Sequence, residues 1–217
     1  DLAGPLAAYF PGAEAGALVL EVNPDSPAAK AGLEPGDVIV GPDGTAYVSD
    51  ATAKRIYEFA PDGSLRRMLT SSFFHSVQGM VLAPDGSSLI AADYRHGLVR
   101  VPLTGSDTAT RIMTEDGQRV QGIDGLASHR SALIATHNGS APGRVLRMTL
   151  SADGRTIVGF EVLERLDGTG EPTLGEVLGD DFIYISNSPW SAFDEAGKQK
   201  PDVALWRPEI RRLPLPR

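Results

Sequence analysis

Residues 36–63 read GDVIVGPDGTAYVSDATAKRIYEFAPDG, and the alternation within them decides the fold. Three short apolar-rich runs, Asp37–Val40, Ala46–Asp50 and Arg55–Ala60, are separated by Gly41-Pro42-Asp43-Gly44 and followed by Pro61-Asp62-Gly63. Proline presets φ for a turn, aspartate bonds its own backbone and glycine accepts positive φ, so the spacing predicts three strands joined by tight turns. The pattern then returns. Val77–Gly105 repeats it with Pro84-Asp85-Gly86 in the turn, Ile123–Gly154 repeats it again, and the chain from Thr173 does so a fourth time with a longer tail. Periods of roughly forty to fifty residues, each holding about four strands, predict a mainly β fold, a propeller-like array of about four blades. The repeats fall near 36–73, 74–119, 120–168 and 169–217, which makes 36–217 one repeat domain.

Composition narrows the function classes. With 217 residues, 41% hydrophobic and 22% charged, the chain has a globular balance and enough length for a substantial core. Its formal net charge is -8 and its 20 Lys and Arg are scattered, which argues against nucleic acid, whose phosphates select a basic surface. No cysteine is present, so disulfides and thiolate metal sites are excluded. No apolar run approaches the roughly 20 residues of a membrane span. The opening DLAGPLAAYFPG lacks the basic start and apolar centre of a signal peptide.

Residues 1–40 lie outside the repeat. Pro5–Phe10 reads as a short helix stopped by Pro11-Gly12, Gly16–Val22 as a strand, and Ser26–Leu33 as a second short helix with Ser26 as N-cap and Pro27 at its first position. The stretch GALVLEVNPDSPAAKAGLEPGDVIV resembles the middle of a bacterial PDZ domain, as in periplasmic serine proteases of the high-temperature-requirement type. The resemblance spans residues 6–40 and is partial. Such domains add a peptide as a strand and hold its carboxylate on backbone amides. The apolar-Gly-apolar loop has no counterpart ahead of Leu6, and the later groove helix is replaced by the repeat. The expectation is a small α+β segment without a working groove, covering the edge of the first blade. A periplasmic or secreted location is favoured over a cytoplasmic one.

From Asp37 onward a second resemblance appears. PDGTAYVSD, VQGMVLAPDG, GIDGLA, IATHNGSAPGRVLRMTL and EPTLGEVLGDDFIYISNSPWSAFDEAGK are similar to the senescence-marker-protein, gluconolactonase and strictosidine-synthase-like propellers. Members usually have six blades, and this chain carries about four. The resemblance implies a divalent metal, usually calcium, on the central axis, held by carboxylates and amides at the starts of the inner strands. There it would polarise an ester or lactone carbonyl and activate water. Aligning the repeats puts Gly36, Gln78, Asp124 and Leu174 at those positions. Asp124 matches the ligand aspartate, and Gln78 stands where asparagine is usual. The acidic ligand of the first blade has no counterpart. One carboxylate and one amide make a thin shell for a cation that takes about six to eight oxygens.

A second ring follows from the ends of the second strands: Asp50, Asp93, His137 and Asn187. Such groups face a channel mouth or, more plainly, cap strand ends and bond turn backbone. His137 is the best general-base candidate because imidazole titrates near neutral pH, and His75 comes next. Trp190, Phe193 and Asp194 lie in a long polar insertion of the last repeat, where a loop on a rigid scaffold offers binding function. Two function classes stay open. One is a binding module that takes a small molecule or a protein partner on the propeller face, with a depleted metal site. The other is a metal-dependent hydrolase of lactones or esters. Peptide binding by the PDZ-like segment is a weaker third. If the blades form an open arc, its edges call for the N-terminal segment, the C-terminal tail or a second chain, so self-association belongs among the expected partners.

Overall fold

The computed structural model describes residues 38–40, 43–50, 53–83, 85–104, 108–167, 170–194 and 198–216. The two short helices predicted at Pro5–Phe10 and Ser26–Leu33 lie outside the described residues. The chain divides into two compact units, Asp1–Ser71 and Ser72–Arg217. In the first, β1 (Val38–Val40), β2 (Ala46–Asp50), β3 (Arg55–Phe59) and β4 (Leu65–Thr70) form an antiparallel sheet in chain order. The turn before β2 is built as its residues dictate. Asp43 accepts the Thr45 backbone N–H at 3.0 Å and the Thr45 hydroxyl at 2.8 Å, and Gly44 supplies φ of +79°. Tyr47, Val48, Ile56 and Tyr57 are buried, whereas β4 alternates exposed and half-buried residues as an outer strand should.

The second unit holds three sheets. β5 (Val77–Leu82), β6 (Ser88–Asp93), β7 (Gly97–Pro102) and β8 (Thr110–Arg111) form one antiparallel sheet in that order. β9 (Met113–Thr114) then leaves it. The next sheet contains β10 (Ile123–His129), β11 (Ala132–His137), β12 (Arg144–Leu150) and β13 (Thr156–Arg165), and β9 joins its outer edge parallel to β13. The last sheet is β14 (Gly175–Leu178), β15 (Asp181–Ile185) and β16 (Ile210–Pro214). The first strands β5, β10 and β14 run side by side, so each sheet is a blade with its inner edge toward a common line. Among the described residues the only helical piece is a three-residue 3-10 turn, Trp190–Ala192. The mainly β, propeller-like architecture is therefore as the repeats predict.

Two apolar layers hold these blades together. Between the first and second blades lie Ile90, Leu98, Ile123, Leu133, Leu146 and Met148, all essentially buried. Between the second and third lie Ile134, Val145, Phe182 and Tyr184. Burying each such side chain contributes about 1.5–3 kcal/mol. Consecutive residues of β11 serve the two layers in turn, Leu133 facing one and Ile134 the other, which is the period-two rule of a strand buried on both faces.

Candidate functional site

The inner strands begin irregularly, and the irregularity positions the site. Along β10 the pairing passes from Ile123 opposite His137 to Gly125 opposite Thr136, so Asp124 is an extra residue without a partner. Along β5 it passes from Val77 opposite Asp93 to Met80 opposite Ala91, and Gln78 occupies the corresponding bulge. A bulge bends its strand and re-aims a side chain that regular pleating would bury or expose. The glycine after each bulge has a separate reason. A Cβ on Gly79 would lie 2.3 Å from the Leu126 nitrogen, and one on Gly125 would lie 3.0 Å from the Leu174 Cα. Only glycine lets successive inner strands approach this closely.

Asp124 is half-buried, and its Oδ2 accepts the Asn138 side-chain N–H at 2.9 Å. Burial pushes its carboxyl above the usual range. Hydrogen bonds from the Thr173 hydroxyl and the Asn138 amide act against that, and the negative charge of Glu171 adds to it. The Tyr94 phenol is likewise pushed up, by burial first and then by the charges of Asp124 and Glu171. Glu171 is tied down in turn, accepting the Ser191 backbone N–H at 3.0 Å. The Asn138 Oδ1 is buried with no donor. Rotating that amide by half a turn would set its oxygen against Asp124 and leave two acceptors face to face. In either orientation one acceptor lacks a donor.

Beside this cluster lies an apolar cleft of about 300 Å³ lined by Leu174, Ile185, Trp190, Phe193 and Pro208, with Thr173 bordering it. Trp190 is 64% exposed, on the 3-10 turn of the insertion. The insertion is closed on itself by the Lys198 backbone N–H donating to Asp194 at 2.9 Å and by a bridge between Phe193 and Gln199.

The remaining candidates are turned to neighbouring backbone. Asp93 is fully buried and accepts four backbone N–H groups: His75 at 2.6 Å, Ser76 at 2.7 Å, His96 at 2.8 Å and Arg95 at 3.1 Å. Burial raises its carboxyl, but the four amides together outweigh that and hold it below the usual range. Asp50, also buried, accepts the Ala53 N–H at 2.7 Å. Asn187 Oδ1 accepts the Glu209 N–H at 2.6 Å. Gln78 donates its amide N–H to the Ser76 hydroxyl at 2.8 Å. His137 is buried, with Nε2 donating to the Gln121 carbonyl at 2.8 Å and Nδ1 accepting from Arg144 Nε at 3.1 Å. Burial, then the Arg144 charge, lowers its basicity, and the Gln121 carbonyl opposes them in part. His75 lies edge-on to the His96 ring at 6.2 Å.

Asp124 and Gln78, the two ligand candidates of the sequence, both lie at bulges of inner strands, and the sequence reading did not single out Asn138, Thr173, Glu171 and Tyr94, which interact with Asp124. The available signal was adjacency: Asn138 follows His137 and Thr173 precedes Leu174, each one step from a position the repeat alignment marks. Among the described residues no three of His, Cys, Asp or Glu gather into a metal-ligating group. Hard oxygens at Asp124 and the unpartnered Asn138 Oδ1 suit calcium in kind, though they fall short of its usual number of about six to eight.

Comparison with known proteins agrees with this architecture. A family model for the PDZ domain matches residues 18–68, so the PDZ-like stretch read in the sequence is shared and the match runs on past Val40 into β4, ending at Met68. No curated protein matches the chain. Among solved structures, virginiamycin B lyase from Staphylococcus aureus is similar at 16% identity, with a TM-score of 0.50 over 82% of this chain and 54% of that one. Regucalcin from Agrobacterium tumefaciens, a calcium-binding protein, is similar at 19% identity and a TM-score of 0.51, over 74% of this chain and 55% of that one. The PQQ-bound aldose sugar dehydrogenase of Streptomyces coelicolor is similar at 15% identity and a TM-score of 0.50, over 82% and 60%. The chain spans about half the length of these structures, and the likeness at such identities is one of fold.

Proposed function

We propose that this chain is a propeller-like binding module of gluconolactonase-like ancestry with a depleted metal site, and that it binds a small molecule at Asp124. The observation that carries this reading is the buried Asn138 Oδ1 without a donor beside a carboxylate raised by burial. Both conditions are unfavourable in the free protein. Both are relieved by a ligand that brings a hydrogen-bond donor or a positive charge. Thr173 fixes Asp124 from the side of the apolar cleft, where the body of such a ligand has apolar surface to cover. His137 supports binding over catalysis, because both ring nitrogens are engaged and its basicity is lowered.

The same unpartnered oxygen favours a second reading, a calcium-dependent hydrolase of lactones or esters. Asp124 and Asn138 would hold the cation, with Gln78 as a further donor, and the cation would supply Lewis acidity toward a carbonyl oxygen. Thermal unfolding with millimolar calcium separates the two. On the binding-module reading the melting temperature of the chain and of Asp124→Asn is unmoved by calcium, while a screen of small amines and polyols raises that of the chain alone. A ligand at a hundredfold excess over Kd stabilises by about 2.7 kcal/mol. A calcium-dependent rise in the chain, absent from Asp124→Asn and accompanied by lactone turnover, puts the hydrolase first.

A further inference from the structure

The last blade has one face too many. Its strand β14 pairs with β15 and β15 with β16 in register, which puts Gly175, Val177, Phe182 and Tyr184 on the face toward the second blade. Phe182 and Tyr184 are 0% and 1% exposed there. The opposite face is organised in rows. One row is Leu174, Ile185 and Ile210; the next is Glu176, Ile183 and Arg212; the third is Leu178, Asp181 and Pro214. Leu174, Leu178 and Ile210 are 38%, 39% and 75% exposed, and the apolar cleft with Trp190 extends from the first row. Apolar side chains stand in all three rows around Glu176, Arg212 and Asp181, and such a sheet face fits another sheet face.

The order of charge along the middle row says which partner. It runs from acid on β14 through Ile183 on β15 to base on β16. Rotation by half a turn about an axis along β15 exchanges the two outer strands, so it sets Glu176 against the partner's Arg212 and Arg212 against the partner's Glu176. The same rotation sets Leu174 against the partner's Ile210 and Ile183 against its counterpart. Asp181 approaches its own counterpart, and Arg212 of the same chain already neutralises it. A surface complementary to itself under a twofold rotation is what an isologous dimer requires. We propose that this face is the interface between two copies of the chain, packed face to face about an axis along β15.

Sedimentation and light scattering of the purified chain test this. The chain should move from one to two chain masses as its concentration rises through the micromolar range. Ile210→Lys, at an exposed position, should weaken association about tenfold or more. Glu176→Arg and Arg212→Glu should each be monomeric alone, because each sets like charges together twice. An equimolar mixture of those two variants should recover the dimer, since both pairs between positions 176 and 212 are then opposite in sign. A chain that stays monomeric at every concentration overturns the proposal and leaves the face to another partner. A dimer indifferent to Ile210→Lys, or variants whose mixture fails to pair, overturns it equally.

Discussion

Asp93 and Asp124 occupy neighbouring blades, and their surroundings drive them in opposite directions. Asp93 has four backbone donors, so its folded pKa lies below the unfolded value of about 3.9. A depressed carboxyl stabilises the fold above its unfolded pKa, and that contribution is lost as pH falls through the folded value. Asp93→Asn keeps one acceptor but turns an N–H toward the amides of either His75 and Ser76 or Arg95 and His96. It should destabilise the fold at neutral pH by about 2–5 kcal/mol in denaturant titrations. The gap between the two proteins should narrow as pH drops below about 4. A gap that is constant with pH would show that the charge is not what Asp93 contributes. Asp124 is the reverse case: its raised carboxyl favours the fold below the unfolded pKa and loses that advantage as pH rises through the folded one. Asp124→Asn should therefore leave the free protein equally or more stable at neutral pH while abolishing ligand-induced stabilisation. A marked loss of stability in that variant would place Asp124 among the structural aspartates. The repeat alignment picked out both residues. It could not distinguish them, because the His75 and Ser76 amides at Asp93, like Asn138 and Thr173 at Asp124, come from segments distant in sequence.

At the scale of the strand, the turns were legible and the strand crossings were not. Asp43, Asp62, Asp85 and Asp153 each accept the backbone N–H two residues on, from Thr45, Ser64, Ser87 and Arg155. That bond is local, so the residues that make it announce it. The parallel pairing of β9 with β13 is not local, and Met113–Thr114 carries no mark of it. The glycines at 79 and 125 fall between these cases. They recur after Gln78 and Asp124 in the aligned repeats, but the reason lies in the neighbouring strand's backbone. Gly79→Ala should consequently cost about 1–3 kcal/mol or more, since the obstructing Leu126 nitrogen is main chain and cannot rotate away. Equilibrium unfolding measures this, and a variant as stable as the parent would mean that β5 and β10 part without penalty.

Across the whole molecule, the repeat predicted the kind of sheet because each one is built from local turns and alternating strands. How firmly each blade is held depends on whether its faces are covered, and that is settled between blades rather than within them. Every residue of β6 and of β11 is buried, and β11 faces an apolar layer on each side. β4 alternates exposed and half-buried positions, and β14 does the same. Local opening free energy follows burial and packing, so amide exchange should be graded along the chain. The slowest amides should belong to β11 and its partners β10 and β12, with β6 close behind. Those of β4, and of the stretch from Lys198 to Pro208, should exchange fastest among the described residues. Residues of β14 and β16 should be intermediate and should slow as the chain concentration rises, because pairing of the last blades covers their exposed face. Exchange followed by mass spectrometry at two concentrations resolves all three classes. If β4 is as protected as β11, apolar coverage does not set the stability of these blades. If β14 and β16 are unaffected by concentration, their outward face is not where two chains meet.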